Sequence, residues 1–424
     1  MIIDHGFTHR SNHKKAFACQ RNGITMKKIF AVLFLCLSAL FILTACGGEE
    51  QPQKLSLYFT VDGQTFVLEE YVEGQTVKEP KQIPEKDGYV FNGWYYDEGT
   101  WSQPFNVTDL NRTFYSGSYT LYARFETVQF ALNADGMGYT VTGPVKADFS
   151  GELSIPSRYL GRPVTAIADN AFKNMDGITS LKIADSVSHI GQYAFAECDG
   201  LTEVTLSAGV TTMDRAVFAS CSNLEKAYLG AGISEIAAST FEGCRKLTTV
   251  TPSSGISRIA GSAFRGCVSL ETITIPNGVR RIEVSAFEGC EKLTSLVLPV
   301  ALEFLGDKAL YGCSSLTSVR FAQNSKLKSF GSEVLLGTQV AELVLPESVS
   351  NIADRAFACE TLSEITFGAN LQFIGEAVFA NIAPGAQIHY RGSVASFENI
   401  VLLSSDWSEG RESAILCTDA EIHP

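Results

Sequence analysis

The chain has 424 residues, of which 45% are apolar and 19% charged, with a formal net charge of −13. That apolar share excludes wholesale disorder, and the length accommodates two or three domains. The acidic balance argues against a nucleic-acid partner, because like charge repels a phosphate backbone.

Residues 29–44 form an apolar run, preceded by Lys27 and Lys28 and followed by Ala45, Cys46 and Gly47. A basic start, a short apolar core and small residues at its end are the layout of a secretion signal. The run of 16 residues is short of the roughly 20 that a membrane-spanning helix needs. We read residues 1–45 as the signal region, with Met26 as the start of translation. The tetrad Leu43-Thr44-Ala45-Cys46 resembles the bacterial lipobox. The resemblance implies a diacylglyceryl thioether on Cys46, and two acyl chains at ~0.8 kcal/mol per buried methylene give lasting membrane attachment. Residues before Cys46 carry six Lys/Arg and one acid, so the remainder holds 27 basic against 45 acidic residues, a balance of −18. Residues 46–53, rich in Gly, Glu and Gln, read as a flexible tether.

Residues 54–126 read as a separate small unit. Short alternating runs at 55–61, 65–68, 89–95 and 119–125 are bounded by Gly, Asp, Asn and Pro, as strands are. The run Gly88-Tyr89-Val90-Phe91-Asn92-Gly93-Trp94-Tyr95, followed by Thr120-Leu121-Tyr122-Ala123-Arg124-Phe125, resembles the Listeria–Bacteroides repeat of internalin B-type proteins. The resemblance implies a β-grasp fold and a surface spacer or adhesion module. Trp94, Tyr95, Tyr96 and Trp101 serve either as the core of a domain with few large side chains to spare or as a platform for sugar rings.

From residue 151 a repeat sets the architecture. Phe172, Phe195, Phe218, Phe241, Phe264 and Phe287 stand 23 residues apart, Leu310 continues the series, and Leu335, Phe357 and Phe379 follow at steps of 25, 22 and 22. Companion columns keep the register, for example Leu201, Leu224, Leu247, Leu270 and Leu293. Each window therefore holds a short strand, a turn and a bent segment ending at the Phe. No single coil buries its own core, so stability comes from stacking. The stretch Leu270–Cys290, with Ile273, Ile275, Pro276, Val279, Ile282, Ala286, Phe287 and Cys290, resembles the BspA-like leucine-rich repeat. The whole is expected to be mainly β: a leucine-rich-repeat solenoid of about ten coils over 151–386, with an N-terminal cap at 127–150 and a C-terminal cap at 387–424. Two irregularities are expected. Pro252 stands where neighbours have Leu206, Leu229 and Ile275, and breaks the ladder because it has no N–H. The excess near Gln323–Lys326 forms a bulge or a longer loop.

Few chemical motifs stand out. Cys198, Cys221, Cys244, Cys267, Cys290 and Cys313 form one column. No CxxC or nearby His accompanies them, so they read as free buried thiols under a turn rather than as a zinc or disulfide ladder. That many thiols in a secreted chain suggests reducing surroundings. There is no HExxH, GxSxG or GxxxxGK[ST] pattern. Asn133-Ala134-Asp135-Gly136 lacks the acids of a calcium loop and reads as a turn. No catalytic, cofactor or metal residue is assigned. The outward strand positions Thr202, Glu203, Thr205, Glu225, Tyr228, Glu271, Thr272 and Thr274 offer a mildly acidic, hydroxyl-rich face.

The expected role is that of a monomer on the extracellular face of a bacterial membrane, held through Cys46. Its solenoid would bind a host or bacterial protein or glycan, the adhesive role that the repeat resemblance implies. A structural envelope component without a ligand and an accessory to a surface hydrolase are the alternatives.

Overall fold

A computed structural model describes residues 52–403 and 414–422; the apolar run, Cys46, Trp407 and His423 lie outside them. The first element is a four-stranded sheet built from β1 (Lys54–Val61), β2 (Gln64–Val72), β3 (Val90–Tyr95) and β4 (Gly117–Glu126), in the order β2-β1-β4-β3. Alternation along β1 turns Leu55, Leu57 and Phe59 inward, as a period of two requires. The helix α1 (Val107–Arg112) starts where the Asn106 side chain accepts the Thr108 N–H at 2.9 Å, and it buries Leu110. The Trp94 ring meets Phe59 edge-on at 4.9 Å and Phe91 at 5.3 Å. Trp94 and Tyr95 are therefore core residues here, and Tyr96 packs against that core.

β5 (Val128–Leu132) and β6 (Tyr139–Pro144) form an antiparallel hairpin. The turn between them is closed by Asn133, whose carbonyl accepts the Gly136 N–H at 2.9 Å. β7 (Gly151–Ile155), β8 (Arg158–Tyr159) and β9 (Arg162–Ile167) follow. β6 pairs with β9 in parallel, which starts the stack.

From there the coils line up along two faces, and all but one described coil, that of Leu270–Ile275, give the first face a strand. On the first face, Glu203–Thr205, Lys226–Tyr228 and Thr249–Thr251 lie side by side in parallel. On the second, two-residue strands from Glu235–Ile236 to Val401–Leu402 make an eight-stranded sheet. The Phe column closes the interior between them. Successive rings from Phe172 to Phe287 stack at 5.2–5.9 Å with planes 6–12° apart, and all six are fully buried. Aromatic stacking adds about 0.5–1.5 kcal/mol per pair beyond burial. Phe357 and Phe379 occupy the same core, tilted by 36° to each other.

Three expectations meet their outcome here. The N–H groups of Leu206 and Leu229 donate to the Tyr228 and Thr251 carbonyls at 2.9 and 3.0 Å. The next donor in that row would be Pro252, and the sheet stops at Thr249–Thr251. Ile273 and Ile275 remain buried without a strand. The two extra residues fall in the turn after Ser318–Phe321, where Asn324 takes φ 59; that strand is not hydrogen-bonded to Glu342–Val344. The C-terminal cap begins later than residue 387. Gln387–Tyr390 continues the first face in parallel register with Glu364–Phe367, and Val401–Leu402 and Ile415–Leu416 also extend the stack. Closure comes from α2 (Val394–Phe397) and from the antiparallel turn-back of Glu421–Ile422. With β6 and Val401–Leu402 included, the second-face column has twelve positions, from Val141 to Leu402, rather than about ten. Among the described residues no helix is long and apolar enough to cross a membrane.

Candidate functional site

The first face is where side chains leave the core in a regular array. Val204, Ala227 and Val250 point inward, while Glu203, Lys226 and Thr249 stand in one outward row, and Thr205, Tyr228 and Thr251 in the next. Thr202, Glu203, Thr205, Glu225, Glu271, Thr272 and Thr274 are exposed or half-buried and Tyr228 is half-buried, so the eight positions singled out from the sequence share this face. The rows differ from the expected acidic surface in one respect. Lys226 sits directly opposite Glu203, so the acidic row is interrupted by a cation that strand alternation alone also marks as outward.

Some of the hydroxyl content has a structural use. The Thr248 hydroxyl donates to the Glu225 carbonyl at 3.2 Å and the Thr317 hydroxyl to the Thr294 carbonyl at 3.3 Å, one coil back. Each of these carbonyls also accepts a backbone N–H of the next coil, from Thr248 at 3.0 Å and from Thr317 at 3.0 Å, so the hydroxyl reinforces a ladder bond already made. Other hydroxyls, such as those of Thr205 and Thr274, are presented to solvent.

Further along, the face opens into a groove of about 950 Å³ lined by Ser318, Arg320, Asn324, Glu342, Val344 and Ser348. It sits where Ser318–Phe321 and Glu342–Val344 fail to pair. Arg391 reaches over from the end of Gln387–Tyr390 and donates to Glu347 at 2.7 Å, tying its rim. Val297 and Val344 stand exposed beside it at 59% and 55%. The candidate residues read from the sequence lie on coils 202–274 and do not reach this groove. Its only trace in the sequence is the two-residue excess.

The cysteine column is free and buried. Its role is more specific than filling space. The thiols of Cys198, Cys221, Cys244, Cys267, Cys290 and Cys313 each donate to the carbonyl of the Phe one coil earlier, at 3.1–3.2 Å. The Phe218, Phe241, Phe264 and Phe287 carbonyls also accept the N–H of the Cys in their own coil, at 3.1–3.3 Å. Both lone pairs of these four carbonyls are thereby used. Burial pushes the Cys244 thiol up to about 12 and that of Cys267 well above its usual value, which keeps the column protonated and unreactive. Thr338 takes over after Leu335, its hydroxyl donating to the Leu335 carbonyl at 2.7 Å. Among the described residues no cluster of His, Cys, Asp or Glu has the arrangement of a metal site. His189 pairs with Thr212 at 3.0 Å and lies 3.4 Å from Asp214, while His389 lies 3.9 Å from Glu364. Both are surface contacts between coils.

Two family models match the chain. The BspA type leucine rich repeat region matches in six copies over residues 165–294 and 280–405, and the Listeria-Bacteroides repeat domain matches residues 56–124. Among solved structures, a leucine rich cell surface protein from Faecalibacterium prausnitzii is 24% identical, covering 65% of this chain and 96% of that one, at a TM-score of 0.29. A leucine-rich repeat protein from Bacteroides ovatus is 20% identical over 69% and 98%, at 0.34. The pneumococcal vaccine antigen PcpA is 16% identical over 69% and 97%, at 0.33. No curated protein matches the chain.

Proposed function

The chain belongs to the BspA type leucine rich repeat family, and from that premise we propose that it is a lipid-anchored adhesive protein of the bacterial cell surface. Proteins of this family are typically found on the bacterial cell surface and are generally binding scaffolds without a catalytic domain. The finer reading has three elements. Cys46 carries the lipid, residues 54–126 stand between anchor and solenoid as a β-grasp spacer, and the first face binds a protein or glycan. The observation that supports binding most is the first face itself. It presents ordered rows of charge and hydroxyl groups, with Tyr228 among them, and then opens into the groove around Arg320. Rigid rows of alternating polar groups at strand spacing suit an extended partner held by many weak contacts.

The test is a glycan array together with immobilised extracellular matrix proteins, probed with the mature chain. A specific target is expected, with binding reduced at least tenfold by Tyr228→Ser or Arg320→Ala. A chain that binds nothing above background, while still assembling in the envelope, would favour the purely structural role. For the anchor, mass spectrometry of the mature N-terminus is expected to find a diacylated Cys46, and Cys46→Ala is expected to release the protein into the medium. A mature chain that keeps residues 26–45 would remove the lipid from this reading.

A further inference from the structure

β4 ends at Glu126 and β5 begins at Val128, so only Thr127 separates the small sheet from the cap of the solenoid. The Thr127 carbonyl accepts the Val145 N–H at 2.8 Å. So short a connection limits separation but does not by itself set an angle. β3 supplies what sets it. The strand carries a bulge between Phe91 and Trp94, with Gly93 at φ 95. The bulge re-aims the Asn92 side chain, and this polar residue is only 1% exposed.

Asn92 is bonded on every side to something specific. Its Oδ1 accepts the Leu160 N–H at 2.8 Å, and its Nδ2 donates to the Arg158 carbonyl at 3.1 Å and to Glu126 Oε1 at 2.7 Å. Arg158 and Leu160 belong to the tip of the β8–β9 hairpin, where Leu160 takes φ 45. Glu126 also receives Arg124 Nε at 2.7 Å. The hairpin is held in turn by Tyr159, whose ring stacks on Phe130 at 4.0 Å and meets Tyr139 at 4.9 Å. On the rim, Lys146 pairs with Asp87 at 2.7 Å. A buried amide that bonds across a boundary loses several partners at once if either side turns.

We propose that Asn92 is the lock of a rigid joint: by gripping the backbone of the Arg158–Leu160 turn, it makes the small domain and the solenoid one body with a fixed angle. The small domain is then an aiming element rather than a swinging spacer. The inference does not depend on what the solenoid binds.

Two measurements on the full chain test it. A carbodiimide joins Asp87 to Lys146 only while the joint is closed, and mass spectrometry reads the yield. Hydrogen exchange over 158–162 reads the Leu160 N–H that Asn92 holds. The wild type is expected to give the cross-link and slow exchange. In Asn92→Ala the yield should drop several-fold and protection over 158–162 should fall roughly tenfold or more, with Phe218–Phe264 unchanged. Asn92→Asp adds a second test. The introduced carboxylate faces Glu126, with Arg124 the nearby cation, so the joint should loosen at neutral pH and regain protection near pH 4 as the carboxyls protonate. Should Asn92→Ala unfold the small sheet, seen as fast exchange at Leu55–Phe59, that pH-dependent recovery decides. Fast exchange over 158–162 in the wild type overturns the proposal. So does Asn92→Ala with unchanged cross-linking and exchange, or Asn92→Asp with no pH dependence.

Discussion

The coils from Phe172 to Phe287 and those from Leu310 to Phe379 are built from the same pattern but solve it differently. The first set keeps a strict 23-residue step, stacks its rings within 12° of parallel and closes each turn with a thiol. The second set steps by 25, 22 and 22, has Leu310 and Leu335 where rings would stand, and has Thr338 in place of a Cys and Cys359 one position early. The groove lies in the second set. Regular repetition gives a smooth, self-templating wall, because every coil finds an identical neighbour. The groove coincides with the coil that carries two added residues, where Ser318–Phe321 and Glu342–Val344 do not join.

The contrast is sharpest in alkali. The Cys198, Cys244 and Cys313 thiols sit at about 12, and those of Cys221, Cys267 and Cys290 are pushed well above the usual thiol value. A raised value in the folded state means that the unfolded chain releases these protons first. The thiol contribution is therefore complete below about pH 8.5 and falls as pH rises through the range between the two values. Each of the six thiols adds to that loss, so the column weakens progressively as pH rises above about 9. Denaturant unfolding under reducing conditions, followed by hydrogen exchange, should show the first set failing first. Replacing Cys221, Cys244 and Cys267 with alanine should flatten the slope.

Phe241→Ala removes a ring sandwiched between Phe218 and Phe264 at 5.9 and 5.6 Å. It is expected to cost about 3–5 kcal/mol, and Phe357→Ala, whose ring is tilted to its neighbours, should cost less. Equal losses in chemical denaturation would mean that ring alignment adds nothing beyond burial.

The carbonyl closures come next in size. Cys244→Ala takes the Phe218 carbonyl's second donor, and Thr338→Val takes the hydroxyl donor of the Leu335 carbonyl; each is expected to cost about 1–3 kcal/mol. Because a hydroxyl donates more strongly than a thiol, Thr338→Val should be the larger loss by equilibrium unfolding.

The smallest effect is a gain. Pro252→Leu supplies a missing N–H and a side chain like that of Leu229, and is expected to stabilise by about 0.5–1.5 kcal/mol. Exchange of the amides at 270–275 should slow with it. Unchanged exchange there would show that the proline is a symptom of the sheet break rather than its cause.

The Phe spacing, the leucine columns and the Pro252 interruption are all legible without coordinates, because each is a one-dimensional property: a period, or a residue that lacks a donor. The same reading sets the closing cap at Gln387, too early, because Gln387–Tyr390 departs from the consensus while its backbone still pairs in register. Strand alternation finds the eight outward residues. It marks Lys226 equally, although an acidic face was the expectation. The groove is out of its reach, since an insertion reads as a longer loop until the strands flanking it are seen to diverge.

What this sequence determined alone is the repeating rung: a hydrophobic residue returning at a fixed interval has to be buried by its copy in the next coil. Tertiary structure decided the pairings between polar groups far apart along the chain. That each thiol meets a phenylalanine carbonyl 26 positions earlier, and that Asn92 closes on a turn 68 positions later, depends on angles and on distances held to a fraction of an ångström. Hydrogen bonds are directional and the hydrophobic effect is not, so periodicity reveals the second while only coordinates reveal the first.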